Sequence, residues 1–411
     1  MNLPTLEEIE AAARLVYRHM PPTPQYRWPL LCEHAGTEVF LKHENHTPVG
    51  AFKIRGGLVY FSTIREAKGV IAATRGNHGQ SVALCARQHG VRATVVVPRG
   101  NSVEKNAAMR ALGAELVEHG ADFQAARLHA ESLARERGLL MVPSFHRTLV
   151  TGVASASLEL LRAVPDLDTL YVPIGLGSGI CGAVAARNAL GSKAGIVGVV
   201  SAHAPAYALS FREKRMVESQ VTTLLADGLA CRTPEPEALE VIWRQVERIV
   251  EVTDEEVAQA IAVLFECTHN CAEGAGAAAF AAIGKERGRL AGRKVAAILS
   301  GGNIDIKGMI ARVADSKLVV ALVWNLKIDG GTPGSFDGSA ALFDLDLQLR
   351  DVTNAARPVT LESSHSKTEN TEHLWLPIRA GRQYALEVSR AATQPAFDWD
   401  FALAWRTQRL P

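Results

Sequence analysis

Chemistry enters this chain at Lys53. The stretch 46–57, HTPVGAFKIRGG, sets that lysine behind an aromatic residue and between two small-residue turns. Pro48 and Gly50 break regular structure ahead of it, and Gly56 and Gly57 let backbone or ligand approach closely behind it. A lysine held in a semi-apolar pocket has its amine pKa lowered, which is what Schiff-base chemistry with a carbonyl group needs. Taken alone the stretch is weak, and a solvated surface lysine is the simpler reading. Three later stretches shift that balance.

The first, TRGNHGQSVA from Thr74 to Ala83, joins a strand to a helix, so its backbone N–H groups and the helix N-terminus can receive an anion such as a carboxylate. Asn77 faces the same site, although a plain strand-to-helix turn explains the pattern equally well. The second, PIGLGSGICG, spaces Gly175, Gly177 and Gly179 around Leu176 and Ser178 between a strand and a helix. Glycines there allow close approach and successive N–H groups bind oxygens, so the loop suits a phosphate. Its spacing is not the dinucleotide fingerprint, which favours a phosphate without a dinucleotide. In the third, LSGGNID, Ser300 stands at the carboxyl end of a strand, where a hydroxyl can face a heteroaromatic ring nitrogen or simply close a turn. Gly228, in LADGLA, lets a flat ring lie against the backbone.

These residues need a scaffold of strands ending in loops. TEVFLKHE reads as a short strand just before the Lys53 stretch. From Gly69 the chain alternates: GVIAAT, a glycine turn and a helix; RATVVVP and a helix over 102–112; GAELVEHG and a helix over 123–137. The alternation resumes at LDTLYVPIG, AGIVGVVSA and KVAAILSGG. Short apolar strands between amphipathic helices predict an α/β fold with parallel sheets flanked by helices, and ligands in such sheets sit beyond the carboxyl ends of the strands. The expected division is a large α/β domain from residues 1–50 and 148–314 and a small α/β domain from 51–147. After about Asp315 alternating β-rich runs separated by turn residues predict a small all-β, sandwich-like extension over 315–411.

Composition narrows the function. With 44 Lys plus Arg against 43 Asp plus Glu, the chain has no global basic field for nucleic acid or an anionic membrane, so a small-molecule partner is expected. The N-terminal twenty residues carry acidic side chains, with Leu6, Ile9, Ala13 and Val16 at helical spacing, and do not read as a signal peptide, and no apolar run has the length of a membrane span. Six scattered cysteines suit reduced thiols, and a cytoplasmic location is expected. CTHNC, residues 267–271, reads as a helix end, since a fourth ligand and CxxC spacing are both missing.

A lysine, a carboxylate nest with an asparagine, a phosphate cradle and a ring-nitrogen partner occur here in one order. FKIRGG, GNHGQSVA, the glycine loop and SGGN together make residues 1–314 resemble the serine/threonine dehydratases (threonine ammonia-lyases) of fold type II, which use pyridoxal 5'-phosphate. The resemblance implies that Lys53 holds the cofactor and later abstracts the Cα proton. It places Phe52 and Gly228 on opposite faces of the ring, Asn77 on the ring hydroxyl, the residues Gly175, Leu176, Gly177, Ser178 and Gly179 around the phosphate, and Ser300 at the pyridine nitrogen. Thr74, Arg75, Gly76, Asn77 and His78 then hold the substrate carboxylate. The implied reaction is dehydration and deamination of L-threonine or L-serine to a 2-oxo acid and ammonia by a homodimer or higher homo-oligomer. The alternatives are another fold type II reaction, on 3-hydroxyaspartate, by racemisation or by β-replacement, or a cofactor-binding protein without turnover.

Three features depart from that pattern. Relatives that racemise serine have a second serine where this chain has Arg75, and relatives that bind a divalent cation near the phosphate loop have a glutamate where it has His203, so no metal site is expected. The tail, at NTEHLWLPIRAGRQYALEV and DWDFALAW, resembles the β-sandwich that ends some secreted subtilisin-like proteases rather than a regulatory α+β domain.

Overall fold

Valine- and alanine-rich runs build two parallel sheets whose carboxyl ends carry the loops of interest. The computed structural model describes residues 1–305 throughout and, beyond them, 316–324, 327–329, 339–341, 345–353, 358–364, 371–378, 382–390 and 401–409. The chain divides into two compact units, Met1–Asp305 and Ile306–Pro411.

The first unit opens with α1 (Leu6–Val16), whose Thr5 and Glu8 cap its start reciprocally. Then come β1 (Gln25–Arg27), α2 (Pro29–Ala35), β2 (Glu38–His43), α3 (Lys53–Phe61), β3 (Val70–Ala73), α4 (Asn77–Gln88), β4 (Ala93–Val97), α5 (Val103–Ala111), β5 (Glu115–Glu118), α6 (Phe123–Arg137) and β6 (Leu140–Met141). They are followed by α7 (Arg147–Ala163), β7 (Thr169–Pro173), α8 (Ser178–Ala189), β8 (Gly195–Ser201), α9 (Ala206–Glu213), α10 (Pro236–Gln245), β9 (Arg248–Val252), α11 (Asp254–Thr268), α12 (Gly274–Lys285) and β10 (Lys294–Leu299).

The larger sheet has the order β1-β2-β10-β7-β8-β9, and every pair in it is parallel except β1 with β2. The smaller sheet, β5-β4-β3-β6, is parallel throughout. Strands buried on both faces read as unbroken apolar runs, as in VIAA, ATVVV and TLYVP, all of whose residues are buried. Each sheet has its own core, with Leu160, Ile180 and Ile196 in the larger lobe and Leu58, Val82 and Val95 in the smaller one.

Two short elements start within the proline-rich segment PPTPQYRWP. The first, β1, pairs at the sheet edge from Gln25 opposite Lys42 to Arg27 opposite Phe40. Pro29 then stands at the first turn of α2, where its missing N–H has no intrahelical role.

The order of the larger sheet positions the site. Because β10 lies between β2 and β7, the chain leaving β10 at Ser300 emerges between the loop that leads to Lys53 and the glycine loop after β7. Phe52 N–H donates to the Ser300 carbonyl (3.0 Å) and Gly302 N–H to the Gly50 carbonyl (2.9 Å), which fixes the two loops side by side.

The second unit is all-β. It contains β11 (Ser316–Trp324), β12 (Lys327–Asp329), β13 (Ser339–Ala341), β14 (Leu345–Asp351), β15 (Val359–Ser364), β16 (Thr371–Ile378), β17 (Tyr384–Arg390) and β18 (Phe401–Arg409). Two three-stranded antiparallel sheets, β16-β11-β18 and β15-β14-β17, turn Leu318, Val320, Leu374 and Leu376 toward Leu345, Leu347 and Leu349 in a common core. Among the described residues β12 pairs only with β13. The boundary expected at 314–315, and residues 398–400 at the start of the last predicted strand, lie outside the described residues.

Candidate active site

Lys53 is the first residue of α3, and Phe52 is its N-cap. Its amine donates to Ser178 Oγ at 3.1 Å and lies 5.0 Å from the centre of the Phe52 ring. Burial, with no facing carboxylate to offset it, pulls the amine down from 10.5 to about 8. The Lys53 carbonyl accepts from Ser81 Oγ at 3.0 Å, so α4 braces the start of α3.

Ser178, 2% exposed, is the first residue of α8, and no side chain caps that helix. Its first amides are therefore free of intrahelical acceptors and face the loop 174–177. Gly177 has φ +99°, a conformation that side-chain-bearing residues rarely adopt, and a Cβ there would stand 2.5 Å from that of Ala238. A Cβ on Gly175 would meet the Gly228 carbonyl at 2.5 Å. The cradle is thus shaped by backbone on both sides, with Gly228 against Gly175 and the Phe52 ring 3.7 Å from where a Cβ on Gly179 would lie. Leu176 is braced from below: its carbonyl accepts from the Tyr207 hydroxyl at 3.0 Å, and that oxygen accepts from Glu235 N–H at 3.0 Å.

In the turn before α4, buried Thr74 accepts at Oγ1 from Gly76 N–H (2.9 Å), and α4 again lacks a side-chain cap. His78 is buried, its Nε2 has no hydrogen-bond partner, and burial followed by the charge of Lys53 pushes its pKa down to about 3. A neutral imidazole therefore lies near the amine. Arg75 is partly buried in the same turn, and Ser300 is 4% exposed. The His203 N–H donates to Ser201 Oγ (3.1 Å) and its carbonyl accepts from Thr222 N–H (2.8 Å). Ser300 is tied to Phe52, and Lys53 to the first residue of α8 after the glycine loop, at the strand carboxyl ends.

Sequence reasoning missed a polar cluster that joins these parts. Asn77 Nδ2 donates to Glu273 Oε1 (2.6 Å), and Asn77 Oδ1 accepts from Asn303 Nδ2 (2.9 Å). Lys105 bridges Asp227 (2.7 Å) and Glu273 (3.2 Å). Burial opposes the Lys105 charge, but Glu273 and Asp227 outweigh it and hold the pKa above its ordinary value. The signal available was a Glu273 flanked by alanine and glycine in CAEGAG.

The arrangement fits a phosphorylated aldehyde cofactor. It offers an amine of lowered pKa for the carbonyl, an uncapped helix start over a loop in which Cβ atoms would clash, and a buried imidazole nitrogen without a partner. The fold and these groups suit an enzyme class that works through pyridoxal phosphate. The model of the pyridoxal-phosphate dependent enzyme family matches residues 16–301, and the chain belongs to that family.

Relatives sharpen this. The chain is 40% identical over 293 residues to an L-threonine ammonia-lyase of Geobacter sulfurreducens, covering 70% of this chain and 73% of the relative. It is 34% identical over 319 residues to an L-threonine ammonia-lyase of Thermotoga maritima, covering 77% and 79%. Among solved structures, a threonine deaminase from T.th. superposes with a TM-score of 0.70 at 30% identity, covering 74% of this chain and 99% of that one. Maize serine racemase superposes with a TM-score of 0.69 at 26% identity, covering 74% and 95%.

Proposed function

We propose that the protein is a threonine/serine ammonia-lyase that eliminates the β-hydroxyl of L-threonine or L-serine and releases a 2-oxo acid and ammonia. The observation that carries this reading is the Lys53 amine, lowered to about 8 and set at hydrogen-bond distance from the first residue of α8. When bound, pyridoxal phosphate supplies an electron sink for the pair left on Cα. In this reading Lys53 holds the cofactor and then takes the Cα proton. The amides at the start of α8 with the loop 175–179 receive the phosphate, and those at the start of α4 with Thr74, Arg75, Gly76, Asn77 and His78 receive the substrate carboxylate. Ser300 offers a neutral hydroxyl to the ring nitrogen. A hydroxyl favours a protonated ring less than a carboxylate would, which leaves a weaker sink and favours prompt loss of the β-group over reprotonation. Phe52 and Gly228 flank the ring.

Arg75 bears on the outcome as well. Returning a proton from the face opposite Lys53 requires a group that donates and re-accepts near neutral pH, and a guanidinium stays protonated. The working form is a cytoplasmic homodimer or higher homo-oligomer; among the described residues no helix is long and apolar enough to cross a membrane. A panel of β-hydroxy and β-substituted amino acids, assayed for ammonia and 2-oxo acid, tests the reading. L-threonine or L-serine should turn over best, with pyruvate from L-serine far exceeding D-serine. No turnover on any member, or racemisation as fast as elimination, would contradict it.

A further inference from the structure

The Asn77 side chain is held with a fixed polarity by its neighbours. The Val49 carbonyl can only accept, so the Asn303 atom 2.8 Å from it must be Nδ2. The same Nδ2 reaches Asn77 at 2.9 Å, so the facing Asn77 atom must be its oxygen. The far end of Asn77 is then Nδ2, and it meets Glu273 Oε1, which accepts, at 2.6 Å. Both Asn303 amide protons are committed, to Val49 and to Asn77, whereas one Asn77 amide proton is used by Glu273 and the second is free. Glu273 is 2% exposed and also meets Lys105, so the carboxylate is itself held in place.

Resting on the proposed function, we infer that Asn303 and Glu273 are positioning residues that compel Asn77 to donate to the cofactor's ring hydroxyl oxygen rather than accept from it. The chemical consequence follows directly. A donor at that oxygen favours its anion and disfavours the neutral hydroxyl. The bound cofactor is thereby biased toward the form with the long-wavelength visible band and away from the near-ultraviolet form that keeps the hydroxyl proton. Two residues that touch no substrate set which proton form the site receives.

The test is the absorption spectrum of the holoenzyme, which does not depend on turnover. In Asn303→Ala the Asn77 oxygen loses the donor that fixes it and the amide is held through Glu273 alone, so the ratio of the visible to the near-ultraviolet band should fall by about two- to tenfold, the span of one net hydrogen bond. Asn77→Asp, which has no amide donor, should shift the ratio in the same direction. Should Asn303→Ala not yield folded protein, Asn303→Ser carries the same readout, because one hydroxyl proton cannot serve two carbonyls. A visible band present in the wild type and unchanged in the Asn303 variants, with Asn77→Asp shifted, would overturn this inference alone. A wild type with no band and no borohydride-fixed cofactor would overturn the proposed function and this inference with it.

Discussion

Two cations, the half-buried Lys53 and the buried Arg55, stand two residues apart on α3 and behave oppositely. Arg55 is wholly buried and meets Glu44 at 2.7 Å and Glu159 at 2.6 Å, while Lys42 reaches Glu159 at 2.5 Å and the Thr23 carbonyl at 2.6 Å. Burial works against the Arg55 charge, but Glu44 and Glu159 outweigh it and raise its pKa. Lys53 faces Ser178 and an aromatic ring, and burial alone pulls it to about 8. Two cations on one helix are thus separated by whether a carboxylate is supplied: the paired one keeps its charge and ties α3 to the residue after β2 and to α7, and the unpaired one is, in the proposed function, the nucleophile.

The sharpest break of this contrast is Lys53→Ala. Turnover, followed by 2-oxo acid release, should fall by at least about 10²–10⁴-fold, the scale of a lost general base. Arg55→Met attacks the other side. It leaves Glu44 buried without its arginine and Glu159 with Lys42 as its remaining cation, and should cost about 3–5 kcal/mol of unfolding free energy in urea, with kcat of the folded fraction little changed. A variant as stable as the wild type would show that α3 does not depend on the ion network.

A smaller effect isolates the cost of leaving Lys53 unpaired. Its folded pKa, about 8, lies below the ordinary 10.5, so between those values the unfolded chain binds a proton that the folded chain does not. Stability of the cofactor-free protein should therefore rise with pH across that window. Lys53→Met should remove the slope and stabilise the cofactor-free form by about 1–2 kcal/mol at neutral pH, after discounting for solvent screening. Thermal melts from pH 7 to 10 decide it, and a slope that survives in the variant would point to another group. Smallest of all is the expected effect of removing the second unit. Every residue assigned to the site lies within Met1–Asp305, so a chain ending at Ala314 should keep its turnover. Loss of soluble protein on truncation would contradict this.

How far the sequence alone could go depended on the range of the interaction. Lys53, the glycine loop and Ser300 were legible because each lies in a short stretch where turn chemistry and strand ends are local properties. The ion network was not: Glu44 and Glu159 are 11 and 104 residues from Arg55, and only the fold brings them together. The hint available was charge inside apolar runs, Lys42 in VFLKHE and Glu159 in SLELLRA. Asn77 shows the same limit, since its turn was readable while Glu273 and Asn303, 196 and 226 residues away, were not connected to it. β1 and α2 escaped because prolines on both sides of QYRW outweighed a three-residue edge strand whose partner is set by β2.

That Lys53, and not the buried Lys42 or Lys105, is chemically free is tested most directly by reducing the holoenzyme with borohydride and mapping the modified peptide. Lys42 and Lys105 are each engaged by carboxylates. The account predicts stoichiometric label on Lys53 and none on Lys42 or Lys105. Label on either of those, or a fixed cofactor that persists in Lys53→Ala, would contradict it.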